Sequence, residues 1–248
     1  MKKLFLFLVF SIVLFSKTID ATYDVEYGIF GKLGEAQAKI IVDEENEYTI
    51  NIIASTTGLA KHLSSNMQEK YESQGKFIND KYQPFSFTKI TSKNEKIKIK
   101  EFSFDYLQKK ITLTKTTKQK ENGIWKEYKE KQVLDFWTNE DILTLFFNLK
   151  HYIPDTTKEI HKKLVAIGAG LSKKGQIDVT IPASIHKEQI KNKLKKPNSN
   201  KILIVKIYNK LFNSEQGELY ISLNEDGICD KSLLKDVLLF GDIRGILR

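Results

Sequence analysis

Apolar side chains recur at every second position through most of the chain beyond residue 22, and that periodicity leaves few alternatives to a sheet. Tyr23-x-Val25-x-Tyr27, Tyr48-x-Ile50-x-Ile52, Phe85-x-Phe87 and Ile97-x-Ile99 all repeat on a strand's period of two, and each is rich in β-branched or aromatic residues. They read as half-buried strands. Asp43-Glu44-Glu45-Asn46 separates two such runs at hairpin-loop length, and Gln108-Lys109-Lys110 does the same between Phe102-Ser103-Phe104-Asp105-Tyr106 and Ile111-Thr112-Leu113. Consecutive antiparallel hairpins are therefore expected. The apolar phase lies on odd numbers at Ile97 and Ile99 but on even numbers at Phe102, Phe104 and Tyr106, which predicts a bulge or bend near Lys100 or Glu101. Lys201 to Phe212, Glu218 to Leu223 and Leu233 to Ile246 read as further strands, the first with a continuous Ile-Leu-Ile-Val run suited to the middle of a sheet.

Two helices interrupt the pattern. Thr138-Asn139-Glu140-Asp141 supplies a cap and first-turn acids before Ile142, Leu143, Leu145, Phe146, Phe147 and Leu149, whose broad apolar surface predicts a core-covering helix. The stretch Ser184 to Lys195 follows Pro182 and stops before Pro197, with only Ile185, Ile190 and Leu194 as apolar contacts. No internal repeat, low-complexity tract or Pro/Ser-rich linker divides the chain, so residues 22–248 are expected to form one domain.

The first 21 residues obey a different rule. Lys2 and Lys3 precede an apolar run from Leu4 to Phe15 broken only by Ser11, and Ala21 offers a small residue at a cleavage point, so residues 1–21 read as a secretory signal peptide. The run is well short of the roughly 20 residues a bilayer-spanning helix needs. Removing the segment takes away Lys2, Lys3, Lys17 and Asp20, three basic residues and one acidic, and lowers the net charge from +9 to +7. Arg244 and Arg248 are the only arginines, whereas specific phosphate and base recognition leans on arginine's planar fork, so nucleic acid is not an expected partner. Peripheral attraction to anionic lipid headgroups is the membrane contact such a lysine-rich surface allows. A lone Cys229 closes no intramolecular disulfide, so the core must hold the fold, and the residue itself reads as a half-buried small hydrophobe.

No residue pattern of enzyme chemistry stands out in the sequence. His62, His151, His161 and His186 show no metal-binding spacing. No Gly-x-Ser-x-Gly elbow occurs, and Gly168-Ala169-Gly170-Leu171-Ser172-Lys173-Lys174-Gly175 lacks the residues of either phosphate-loop pattern, so it reads as a turn. Glu44-Glu45 and Glu140-Asp141 have ready explanations as a hairpin loop and a helix start. The expectation is no catalytic residue, no metal and no cofactor. The candidate ligand-binding residues are aromatic: Phe85, Phe87, Phe102, Phe104, Trp125 and Trp137 either fill a solid core or line an apolar pocket on a concave sheet, with the Ile142–Leu149 helix as its lid.

Several spaced pieces resemble the exported bacterial proteins of domain-of-unknown-function family 3108. They are Tyr23-x-Val25-x-Tyr27 with Gly34-Glu35-Ala36, Ser73-x-Gly75, Pro84-x-x-Phe87, Asp141-x-Leu143 before Tyr152-x-Pro154, and Gly217-Glu218-Leu219-Tyr220-Ile221 with Asp226-Gly227 and Phe240-Gly241-x-Ile243-x-Gly245-x-Leu247. The chain departs from the family pattern in having Ile228-Cys229 where a proline is expected after Asp226. The resemblance implies a Gram-negative periplasmic setting and a large curved antiparallel sheet similar to the half-barrel of lipoprotein carriers, and it brings no catalytic residues. The expected fold is thus mainly β, a half-barrel or open barrel with one or two short helices. The expected function is a non-enzymatic periplasmic carrier for an apolar ligand such as a lipid or acyl chain. The competing expectation is an envelope assembly or scaffold protein that docks a protein partner or anionic surface through a strand edge or the Ser184–Lys195 segment.

Overall fold

Two edge strands that never meet define the architecture. The computed structural model describes residues 17–27, 31–57, 67–152, 158–170, 174–199, 201–208, 217–237 and 241–248. Its strands are β1 (Lys17–Tyr27), β2 (Gly31–Val42), β3 (Glu47–Thr56), β4 (Gln68–Ile78), β5 (Lys81–Lys93), β6 (Lys96–Asp105), β7 (Lys110–Glu121) and β8 (Ile124–Val133). After helix α1 (Ile142–Tyr152) come β9 (Ile160–Val165), β10 (Gln176–Ile181), helix α2 (Ser184–Lys193), β11 (Lys201–Ile207), β12 (Gly217–Leu223), β13 (Cys229–Val237) and β14 (Gly241–Leu247). All belong to one sheet in the order 8-7-6-5-4-3-2-1-14-13-12-11-10-9. Each strand pairs antiparallel with its sequence neighbours, β1 also joins β14, and the sheet stays open between β8 and β9. The open antiparallel sheet matches the expected class.

Fourteen flat strands would span about 60 Å, whereas an 11-residue helix such as α1 is about 16 Å long. Yet α1 reaches both halves of the sheet. Leu143 packs with Ile40, Tyr48, Ile50, Phe87, Phe102 and Leu113 of β2–β7, while Leu145 and Leu149 pack with Ile177, Val179, Leu203, Val205 and Ile221 of β10–β12. Only a sheet curled around the helix allows this. The helix α2 lies on the other face, where Ile190 and Leu194 cover Ile202, Tyr220 and Leu233. The concave face thus holds α1 and the convex face holds α2.

Most sequence expectations meet their elements. Asp43–Asn46 is the β2–β3 turn, with the Asp43 carboxylate accepting from the Glu45 and Glu47 amides, and the two helices begin at Ile142 and Ser184. Three features differ. The stretch Leu233 to Ile246 is not one strand but parts of β13 and β14, divided before Gly241 at φ 67°. Strands β8, β9 and β10 are additional to the expected ones. The predicted bulge near Lys100 does not exist: Lys100 and Glu101 pair in regular register with Lys89 and Thr88 on one side and with Lys115 and Thr114 on the other. The phase changes because Ile97 and Ile99 face away from the core while Phe102 and Phe104 face into it. Bulges occur instead at Val25/Glu26, Gln74/Gly75, Ser222/Leu223 and Leu234/Val237.

The first sixteen residues of the expected signal peptide lie outside the described residues, as do His62, Pro154 and Phe240. Lys17 to Ala21 open β1 and pair with Val42 to Ala38 of β2. A cut after Ala21 removes those pairs, but every β1–β14 pair, from Tyr23↔Leu247 to Tyr27↔Ile243, lies downstream of it.

Candidate functional site

The core's polar heart is the joint that holds α1 on the concave face. Asp141, wholly buried, caps the helix: its Oδ1 accepts from the backbone amides of Leu143 (2.7 Å) and Thr144 (3.0 Å), and the Thr144 hydroxyl accepts from the Asp141 amide at 2.9 Å. This is a reciprocal capping box closed by threonine. The other carboxylate oxygen accepts from the Ser73 hydroxyl of β4 at 2.5 Å, and Tyr48 of β3 lies 3.0 Å from the same hydroxyl. One buried carboxylate thereby ties two strands to the helix start.

Glu140, also buried, takes the Tyr152 hydroxyl at 2.5 Å and the Asn148 amide at 3.0 and 3.1 Å. Asn148 also donates to the Tyr82 carbonyl (2.8 Å) and accepts from the Tyr82 amide (2.9 Å). Tyr82 pairs with Phe77 of β4, but the β5–β6 pairing begins only at Ser86, so this side chain satisfies backbone groups that β6 does not reach. The segment before the helix links the open edges: the Leu134 amide donates to the Ile111 carbonyl of β7, the Thr138 hydroxyl donates to the Val165 carbonyl of β9, and Asp141 forms a parallel bridge with Ile167 through the bonds Ile142 N–H to Ile167 O and Ile167 N–H to Glu140 O. Burial pushes the Asp141 pKa up to about 7 and raises that of Glu140 as well.

Above this joint the concave face stays partly open, and its side chains change character around the curve. One row of directly paired residues runs Ala21, Ala38, Ile52, Tyr71, Lys89, Lys100, Lys115 and Glu130 across β1 to β8. The next row runs Tyr23, Ala36, Ala54, Glu69, Thr91, Lys98, Thr117 and Tyr128. The β1–β3 portion is apolar and mixes alanines with Tyr23 and Ile52, and Tyr23, Ala36, Ile52 and Ala54 are only partly covered. The β5–β7 portion is rich in lysine, and near the β5–β6 turn it carries a groove of about 570 Å³ lined by Lys93, Lys96, Lys98 and Lys120 together with Glu95 and Glu121.

The aromatic candidates divide three ways. Phe87, Phe102 and Phe104 are buried and packed solid, with Phe87 against Phe102 at 5.9 Å between centroids. Trp137 is half-buried and closes over Phe104 and Tyr106. Phe85 and Trp125 are exposed, Phe85 because the Gly75 bulge turns it outward and Trp125 because it sits on edge strand β8. The helix expected as a lid is a plug within the core. The histidines separate: His151 bonds to Asp80, while His161 and His186 flank Glu159. Cys229 is buried and free, its thiol pKa pushed up to about 12 by burial. Glu140-Asp141 is the expected helix start, but both carboxylates are buried, which spacing in the sequence does not signal. Among the marks quoted for the family resemblance, Ser73 and Asp141 touch, Phe87 lies beside Gly168, and Gly75 lies under Pro84.

An open, curled, next-neighbour antiparallel sheet with a helix docked on its concave face defines a barrel-like class of β protein. Within that class the chain belongs to the family described as "Protein of unknown function (DUF3108)", whose profile matches residues 22–145, half of the chain. The matched span holds both Ser73 and Asp141. A crystal structure described as a beta-barrel-like protein of domain of unknown function DUF1849 from Brucella abortus is similar over 92% of this chain and 94% of that one, at 12% identity and a TM-score of 0.39. No curated protein matches the chain.

Proposed function

We propose that this protein is a non-enzymatic binding or carrier protein of the periplasm, whose concave sheet holds an apolar ligand such as a lipid or acyl chain. The observation that carries the reading is the unequal use of one face: α1 seals one end of it, while Tyr23, Ala36, Ile52 and Ala54 remain partly uncovered at the other. The alanines of β2 and β3, flanked by Tyr23 and Ile52, make an apolar wall that suits a flexible chain. The buried carboxylates fit a structural part better than a catalytic one, because Asp141 is closed to solvent and its oxygens are taken by the helix amides and Ser73. The export signal, and so the compartment, rests on residues 1–21 of the sequence.

Filling the wall tests the reading. The double variant Ala36→Leu/Ala54→Leu should bind a fluorescent acyl probe such as cis-parinaric acid at least tenfold more weakly than the parent, with thermal unfolding little changed. Equal probe affinity in the two proteins would remove this surface as the binding wall.

A further inference from the structure

Because β6 has no bulge, Lys96, Lys98 and Lys100 share the concave face with Phe102 and Phe104. Their paired neighbours extend the pattern: Lys96 lies opposite Lys93 and Gln119, Lys98 opposite Thr91 and Thr117, and Lys100 opposite Lys89 and Lys115. Nine adjacent positions on three strands therefore hold six lysines and no carboxylate. At ordinary sheet spacings the block measures about 10 Å by about 14 Å.

Like charges placed directly opposite destabilise a sheet; elsewhere Lys118 lies opposite Glu127 and Lys76 opposite Glu47, and where Asp24 lies opposite Glu35 the two carboxylates are bridged by Lys32 and Arg248. At the block's margins Lys89 is paired with Glu69 at 2.8 Å and Lys115 with Glu130 at 3.5 Å. The two carboxylates that line the groove are already paired, Glu95 with Lys120 (2.7 Å) and Glu121 with Lys126 (2.8 Å). Among the described residues Lys93, Lys96, Lys98 and Lys100 have no ion-pair partner, and three of them line the 570 Å³ groove. Burial and the charges of Lys89, Lys115 and Lys98 lower the Lys100 pKa, as expected of a cation lacking a counter-charge.

We infer that this lysine block is a binding site for a phosphate group, and that it holds the headgroup of an amphiphile whose chain lies along the apolar wall of β1–β3. The inference deepens the carrier reading and rests on it for the second part only. Lysines bind phosphate as point charges with three donors each and suit an oxygen-rich anion in varied orientations. The nine positions contain no aromatic platform and no arginine, so stacked bases find nothing to recognise there. In the row from Ala38 and Ile52 through Tyr71 to Lys89 and Lys100, apolar wall and cationic block are continuous. That continuity fits a molecule with one charged end.

Calorimetric titration with three probes tests the site: dihexanoyl phosphatidylglycerol and dihexanoyl phosphatidylcholine, both monomeric, and inorganic phosphate. The parent should prefer the anionic lipid to the zwitterionic one by tenfold or more. Lys98→Gln/Lys100→Gln should weaken the anionic lipid roughly 20-fold, at the scale of one surface lysine per charge contact. Lys129→Gln/Lys131→Gln, with the same charge change on the convex side of β8, should not. Equal binding of the two lipids, unchanged in Lys98→Gln/Lys100→Gln, overturns the headgroup site and leaves the carrier reading standing. Binding of phosphate alone, lost in that variant, supports the anion site with a free phosphate as its ligand and overturns the carrier reading. No binding of any probe overturns both.

Discussion

Replacing Asp141 with alanine should cost the fold about 4 kcal/mol, enough to unfold much of a domain of ordinary stability. The figure has two sources. Losing an N-cap costs about 1 kcal/mol, and leaving buried donors unsatisfied, here the Ser73 hydroxyl together with two helix amides, costs about 1–3 kcal/mol more. The effect should appear as a large drop in the urea midpoint, with α1 losing its anchor to β3 and β4. A loss below about 1 kcal/mol would mean that the joint contributes little and that α1 is held by its apolar face alone.

The same carboxyl sets a pH signature. Its folded pKa, about 7, lies above its unfolded value, so the protonated form is the one folding favours. Its stabilising contribution is full below about pH 4 and is lost as pH rises towards 7. Asp141→Asn keeps the shape and removes the titration, so the fall in melting temperature from pH 4 to pH 7 should be shallower in that variant. Parallel pH profiles for parent and variant would assign the slope to other groups.

Gly75→Ala should be nearly as damaging, at about 3 kcal/mol. A Cβ at Gly75 would lie 2.0 Å from the Gln83 carbonyl oxygen and 2.8 Å from Pro84 Cα, both backbone atoms of the paired strand that cannot rotate aside. The site is the Gln74/Gly75 bulge, which lets Pro84 sit in β5 and lets its carbonyl accept from the Tyr106 hydroxyl at 2.9 Å. Forcing the strands apart there also disturbs Ser73, two residues away and bonded to Asp141. Denaturant unfolding of the alanine variant would show whether the bulge tolerates a side chain; an unchanged midpoint would mean that β4 and β5 separate there at no cost.

Strands that bury one face were legible, because Tyr48, Ile50, Phe102 and Phe104 alternate with polar residues and the period itself reports the pleat. Strand β8 was not, since all ten of its residues are exposed and its Lys/Glu-rich composition carries no burial signal. The same limit hid the cationic block. Alternation shows that a strand has two faces but not which one continues past the end of the core, so Ile97 and Ile99 suggested a bulge where the strand runs straight. The carboxylate joint was half legible. The capping role of Asp141 follows from its place before an apolar helical run, whereas its partner Ser73 is 68 residues away and only the fold brings them together. The family resemblance marked both residues, which was the one sequence signal that linked them.

The most direct measurement is native mass spectrometry, with lipid extraction, of the protein purified from its own compartment without detergent. The carrier reading predicts a discrete mass increment that extraction identifies as an anionic, phosphate-bearing lipid. A clean unliganded mass, unchanged when such lipids are added, would contradict it and mark the concave face as a surface that holds no cargo.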